Sequence, residues 1–275
     1  MTAPIPPVPG ASASPTPPIP RDIPDLPAIP GITALMPSAV PATAVVTPVR
    51  RPWTAAYRLL VAATAAAAVT AETIIGPPLH VLSHFAIQST ILLILALVVS
   101  ARRAWTARRP APAALTGAAV LYVTLSALVY HLLLTEASPP FSITDAPGTH
   151  PLWQSVAARL LHTVIPIAAL LDWLLLTTPN RLHLRQAAPW LLYPLAYLAF
   201  SLTRGALLPP GAAHRYLYAF LDVDQHGYRH VLANALLLGL ACYALALLLV
   251  ALDHARPNPV PRRTRTGFRL RPPVG

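Results

Sequence analysis

The segment RLLHTVIPIAALLDWLLL, residues 159–176, is apolar enough to cross a bilayer, yet it carries Arg159, His162 and Asp172. Ionisable groups in hydrocarbon are costly unless they are paired or face a wet cavity. Each therefore needs a partner or a task. His162, as a neutral imidazole, can take a proton from a hydroxyl nucleophile or bind a metal. Arg159 can stabilise a developing oxyanion. Asp172 precedes Trp173 near the other end of the segment and reads as a structural partner for a loop arginine such as Arg181 or Arg185.

Similar groups recur in the other apolar blocks: His84, Gln88, Ser89 and Thr90; His131; Ser201 and Arg204; Arg229, His230 and Asn234. At the helical rise, most fall within about 5–15 Å of one membrane face. Arg159, His162 and Pro166 share a helical face by their i, i+3, i+7 spacing, and His84–Gln88 and His230–Asn234 are i, i+4 pairs. The expectation is a polar pocket toward that face. Each residue also has a structural use. His131 and His230 can bond headgroups, Arg159 and Arg204 can snorkel, and Ser201 and Asn234 can bond helix to helix. Three histidines at one depth, His84, His131 and His162, also leave a zinc site open. Pro166 cannot donate to the carbonyl of the preceding turn, Leu161 or His162 by register, which must find another donor.

The elements that must position these groups follow from composition. The 275 residues are 55% hydrophobic and 11% charged, with the apolar residues in long blocks, which excludes an ordinary soluble domain. Six blocks reach spanning length, near 55–75, 80–100, 114–135, 155–176, 188–208 and 229–252. Sixteen of the twenty arginines flank one side of this arrangement, and only Arg159, Arg204, Arg215 and Arg229 the other. The positive-inside rule then places both termini in the cytoplasm, as an even number of spans requires. The expected class is an all-α, multi-pass bundle of six transmembrane helices in the cell membrane.

Residues 1–52 hold 15 of the 34 prolines and read as a disordered cytoplasmic tail; 53–253 form the membrane domain, and 254–275 a basic cytoplasmic tail. The net charge of +11 lies beside the spans, so the expected partners are the bilayer and, at the tails, anionic headgroups, not nucleic acid. The single cysteine, Cys242, lies in an apolar run and excludes a disulfide framework; it reads as helix packing. No cofactor is implied.

LLHTVIPIAALLDWLL resembles the His-containing fourth span of the actinobacterial Pr6Pr family of six-helix membrane proteins. LYVTLSALVYHLLL, WLLYPLAYLAFSLTRGAL and YAFLDVDQHGYRHVLANALLL are similar to other stretches of that family, over residues 55–253 in all. The family is similar in outline to eukaryotic androgen-induced membrane proteins, which hydrolyse fatty acid esters of hydroxy fatty acids with a threonine nucleophile and a histidine. The resemblance puts His162 at the histidine position and Ala86 at the threonine position, leaving Thr90 or Ser89, one turn away, as the available hydroxyl.

Three functions are compatible with these residues. A membrane protein of this kind can bind a lipid or fatty-acyl amphiphile through His84, Gln88, His131, Arg159, Ser201, Arg204, His230 and Asn234. It can hydrolyse lipid esters, with Thr90 or Ser89 as nucleophile, His162 as base and Arg159, Gln88 or Asn234 at the oxyanion. It can also be a transporter or channel, although the second membrane face is poor in polar groups.

Overall fold

A computed structural model describes residues 49–135, 141–144, 151–210, 212 and 215–257. The expected proline-rich tail up to residue 48 and the basic tail from residue 258 lie outside the described residues. The described chain is helical, with no strand among its described residues, and five of its helices are long and apolar enough to cross a membrane.

Helix α1, Pro52–Ile75, begins on a proline and ends at Gly76, before Pro77 and Pro78. That is the start-and-stop pattern proline and glycine impose on a helix. Ala62, Ala65, Ala68 and Val69 form a small-residue face that packs with Ala86 and Ala96 in one core cluster. Small residues let helix backbones approach closely where lipid supplies no hydrophobic drive.

The block expected as one helix over 80–100 is two. Helix α2 covers Pro78–Ser83 and α3 covers Phe85–Trp105, with His84 between them in extended conformation (φ −74°, ψ 137°). A break inside a span is tolerated only where its freed polar groups are satisfied. The Gln88 side-chain amide donates to the Leu82 carbonyl (3.1 Å) and the Tyr197 hydroxyl to the Ser83 carbonyl (3.1 Å). Tyr197 lies more than a hundred residues along the chain, so the local sequence gives no sign of this support for the break.

Helix α4, Ala113–Leu134, and helix α5, Leu152–Leu176, each contain wide turns in the i→i+5 register. In α4 the Thr135 N–H reaches the Tyr130 carbonyl, and in α5 the Ile165 N–H reaches that of Leu160. Such turns re-aim side chains and are frequent at functional sites. Gly117 of α4 lets Trp190 and Leu182 close in: a Cβ there would lie 2.9 Å from both. Trp190 belongs to the short helix α6, Ala187–Trp190, which leads into α7, Leu192–Leu207. Its indole donates to the Ala114 carbonyl (3.1 Å), and the Tyr122 hydroxyl donates to the Trp190 carbonyl (2.9 Å).

Helix α8, Val223–Ala255, starts six residues before the expected span because Asp222 caps it, accepting from the N–H groups of Asp224 and Gln225. The helix kinks at Gly227, whose φ of 72° suits glycine. At the far end, Asp253 accepts from the N–H groups of Arg181 (2.7 Å) and Leu182 (2.8 Å) and pairs with Arg256, tying α8 to the loop before α6. The expected partner of Asp172 is corrected: it is Arg58 of the first helix, at 2.8 Å, and not Arg181 or Arg185. Both groups are largely buried. Arg58 also donates to the Thr177 hydroxyl (3.3 Å). Cys242 is fully buried in the core, where a small apolar thiol packs well.

Candidate functional site

His162 sits in the wide turn of α5 and is 2% exposed. Its ring stacks on Tyr130, the first residue of the wide turn of α4, with centroids 4.1 Å apart and planes 4° from parallel. Neither ring nitrogen has a hydrogen-bond partner among the described residues. A neutral imidazole has one donor and one acceptor to satisfy, and burying both unmet is costly.

Of the two carbonyls that Pro166 can leave without a donor, Leu161 and His162, that of His162 is satisfied. His131 Nε2 lies 3.2 Å from the His162 carbonyl and 3.0 Å from the Thr163 hydroxyl. Since a carbonyl only accepts, His131 carries its proton on Nε2. This histidine therefore serves the backbone that holds the other one.

His162 lines a cavity of about 530 Å³ between α7 and α8. Leu195 and Leu198 of α7 form one wall and Leu232, Leu236 and Tyr243 of α8 the other; Ser126 of α4 lies with His162 on the inner side. Tyr218 and Phe220, from the loop before α8, close one end, and Tyr218 stacks on both Phe141 and Phe220. Leu195, Leu232 and Leu236 are exposed, so the cavity walls reach the outside of the bundle. No arginine, aspartate or glutamate is among the described residues lining it. Tyr218 is outside the spans and buried, and burial pushes its hydroxyl up to about 12.

The other candidate residues are placed elsewhere. Ser89 and Thr90 are buried, and their hydroxyls donate to the Ala86 carbonyl at 3.0 and 2.7 Å. Neither lines the cavity with His162. Ala86 is in the core between α1 and α3. His84 is buried at the helix break, with Nδ1 3.1 Å from the His80 carbonyl and its ring edge-on to Phe141 and Tyr218. Gln88 accepts from the Tyr193 hydroxyl (3.2 Å). Arg204 donates to the Arg215 carbonyl (3.0 Å), and Arg215 in turn grips Asp224. Asn234 donates to the Phe220 carbonyl (3.1 Å), which fixes the loop that closes the cavity. Arg159 and His230 are exposed, and Ser201 is buried with its hydroxyl unpartnered among the described residues. The polar layer thus serves mainly to satisfy backbone at breaks, kinks and loops, and the cavity beside it is apolar. No group of three or more metal-ligating side chains is gathered among the described residues.

Sequence reasoning missed Ser126, Tyr218 and Gly239. Gly239, in the run LLLGLAC, lines the cavity, and a Cβ built on it meets nothing within 4 Å. A glycine inside an otherwise unbroken leucine helix was the available signal.

Fold and site together define a helical protein of multi-pass membrane character with a side cavity between two of its helices. No family model, no curated protein and no solved structure matches the chain.

Proposed function

We propose that this chain is a six-span protein of the cell membrane, of the Pr6Pr type, that holds a lipid or fatty-acyl amphiphile in the α7–α8 cavity. The observation that carries the reading is an apolar cavity with exposed walls and one buried, unpartnered imidazole on its inner side. Pockets of a few hundred Å³, mainly apolar with a few polar groups, are the usual form of small-molecule sites.

The sixth span is α6 with α7. Residues 187–207 are interrupted only at Leu191, whose backbone stays in the helical region (φ −70°, ψ −19°). At 1.5 Å per residue this segment is about 31 Å long, enough for the hydrocarbon core. With six spans and the arginine distribution, both termini are cytoplasmic.

Binding is supported over hydrolysis because the Ser89 and Thr90 hydroxyls are engaged by their own helix, away from the cavity that His162 lines. A nucleophile has to reach its base within hydrogen-bond distance. A fluorophosphonate probe is expected to leave the chain unlabelled; labelling that disappears in Thr90→Ala would restore the hydrolytic reading. The binding test is native mass spectrometry of the purified full chain after gentle detergent extraction. We expect a retained lipid in the parent and markedly less in Gly239→Phe, whose ring projects into the cavity. Equal retention in both would overturn the proposal.

A further inference from the structure

Arg50 and Arg51 lead into α1, and Arg102, Arg103, Arg108 and Arg109 surround the end of α3. The fold brings these two runs together. The Arg51 N–H donates to the Ala104 carbonyl (3.0 Å), which fastens the start of α1 to the last turn of α3. The chain then doubles back. The Thr106 N–H donates to the Arg102 carbonyl (3.0 Å), Ala107 adopts a left-handed φ of 52°, and the Arg108 N–H returns to the Arg103 carbonyl (2.9 Å). Glycine usually fills that place in a helix cap, and an alanine held there is strained. The reversal keeps Arg108 and Arg109 beside Arg102 and Arg103. Arg103 also donates to the Pro110 carbonyl (3.4 Å), which closes the loop.

The charge gathered there is not balanced. Ion pairs among the described residues use other arginines: Asp172 holds Arg58, Asp224 holds Arg215 and Asp253 holds Arg256. The carbonyl end of α3 offers roughly half an elementary negative charge against these six positive ones. All are exposed except Arg103, which is half-buried, so a ligand can reach them. The positive-inside rule accounts for the face on which they lie. It does not account for a strained turn that packs them together.

Depth selects the kind of anion. Trp53 and Trp105 flank the Arg51–Ala104 contact, and both are exposed at the ends of apolar helices. Tryptophans so placed sit at headgroup level, which puts the arginines where lipid phosphates are. The guanidinium fork matches phosphate oxygens two at a time. Clusters of about four to eight basic residues beside a span attract anionic lipids.

We infer that the joined ends of α1 and α3 form a binding site for the headgroup of an anionic phospholipid, held by Arg50, Arg51, Arg102, Arg108 and Arg109. None of these residues lines the α7–α8 cavity, so this site stands or falls independently of the one above.

The test titrates photo-crosslinkable phosphatidylglycerol into phosphatidylcholine nanodiscs that hold the full chain. We expect half-saturation at a mole fraction at least about tenfold lower than for a phosphatidylcholine probe, with crosslinks in residues 50–53 and 102–110. Replacing Arg102, Arg108 and Arg109 together by Gln should raise the half-saturating fraction at least about tenfold. Replacing Arg262, Arg263 and Arg265 of the basic tail by Gln removes the same charge and should change it by less than about twofold. Equal losses in the two triple variants, or no preference for phosphatidylglycerol, overturns the site. Full displacement of the probe by inorganic phosphate also overturns it, because the ligand is then a free anion. Thermal unfolding in phosphatidylcholine alone shows whether each variant is folded. Should the first triple variant unfold, Arg50→Gln with Arg51→Gln tests the other half of the cluster, and an unchanged half-saturation there overturns the inference.

Discussion

The imidazole of His162 lies flat against the phenol ring of Tyr130, 4.1 Å between centroids, and the next residue, His131, holds the His162 backbone. The stack fixes the imidazole without using either nitrogen. Replacing His162 by Phe should therefore preserve packing and relieve two unmet polar atoms. We expect unfolding in micelles to show unchanged stability or a gain of up to about 2 kcal/mol. Tyr130→Ala removes the ring that positions His162 and should cost about 2 kcal/mol. A strongly destabilised His162→Phe would mean that the nitrogens are bonded in the folded protein.

His131 and Pro166 should be coupled. The proline withholds a backbone donor from the His162 carbonyl, and His131 supplies one at 3.2 Å. His131→Leu should destabilise by about 1–2 kcal/mol. In a Pro166→Ala background, which returns an N–H to the helix, the same change should cost clearly less. Strict additivity in this double-mutant cycle would refute the compensation.

The Arg58–Asp172 pair joins the first and fourth long helices at largely buried positions. Asp172→Asn leaves a buried guanidinium without its countercharge and should cost about 3 kcal/mol. Arg58→Met with Asp172→Leu removes both charges, and denaturation should find it near the parent. If the single change is as mild as the double, the pair is not desolvated.

Two glycines in apolar helices should respond with opposite signs. At Gly117 a Cβ would sit 2.9 Å from Trp190, whose indole is anchored on the Ala114 carbonyl, so Gly117→Ala should destabilise by about 1–3 kcal/mol. At Gly239 the space is open, so Gly239→Ala should stabilise by about 1 kcal/mol through helix propensity alone. Parallel melting curves of the two variants check both signs, and a shift in the same direction for both would contradict the geometry.

The proposed orientation is open to labelling, because Cys242 is the chain's one cysteine. In a Cys242→Ala background, Thr106→Cys should react with an impermeant maleimide only after cells are permeabilised, and Tyr228→Cys should react on intact cells. Both parent side chains are exposed. Reaction of both from the same side would refute six spans with cytoplasmic termini.

Where the long helices lie was legible in the sequence by itself. Hydropathy is a local sum, so blocks near 55–75, 114–135 and 155–176 have their counterparts in α1, α4 and α5 within a few residues. Proline, glycine and an aspartate cap act on neighbouring backbone, which is why the stop at Gly76 and the cap at Asp222 can be read from a few letters. The burial of His162 beside a cavity follows from the same logic, since an ionisable group in a span must face something other than lipid.

Tertiary structure decided the rest. The break at His84 depends on Tyr197, more than a hundred residues away, and Asp172 chose Arg58 over nearer arginines. Depth along a helix placed many polar residues in one layer, but depth is one coordinate of three. The rotation of each helix turned Ser89, Thr90 and Gln88 toward backbone carbonyls and left His162 and Ser126 beside leucines. A cavity is made of space between helices, and only their packing determines which faces surround it.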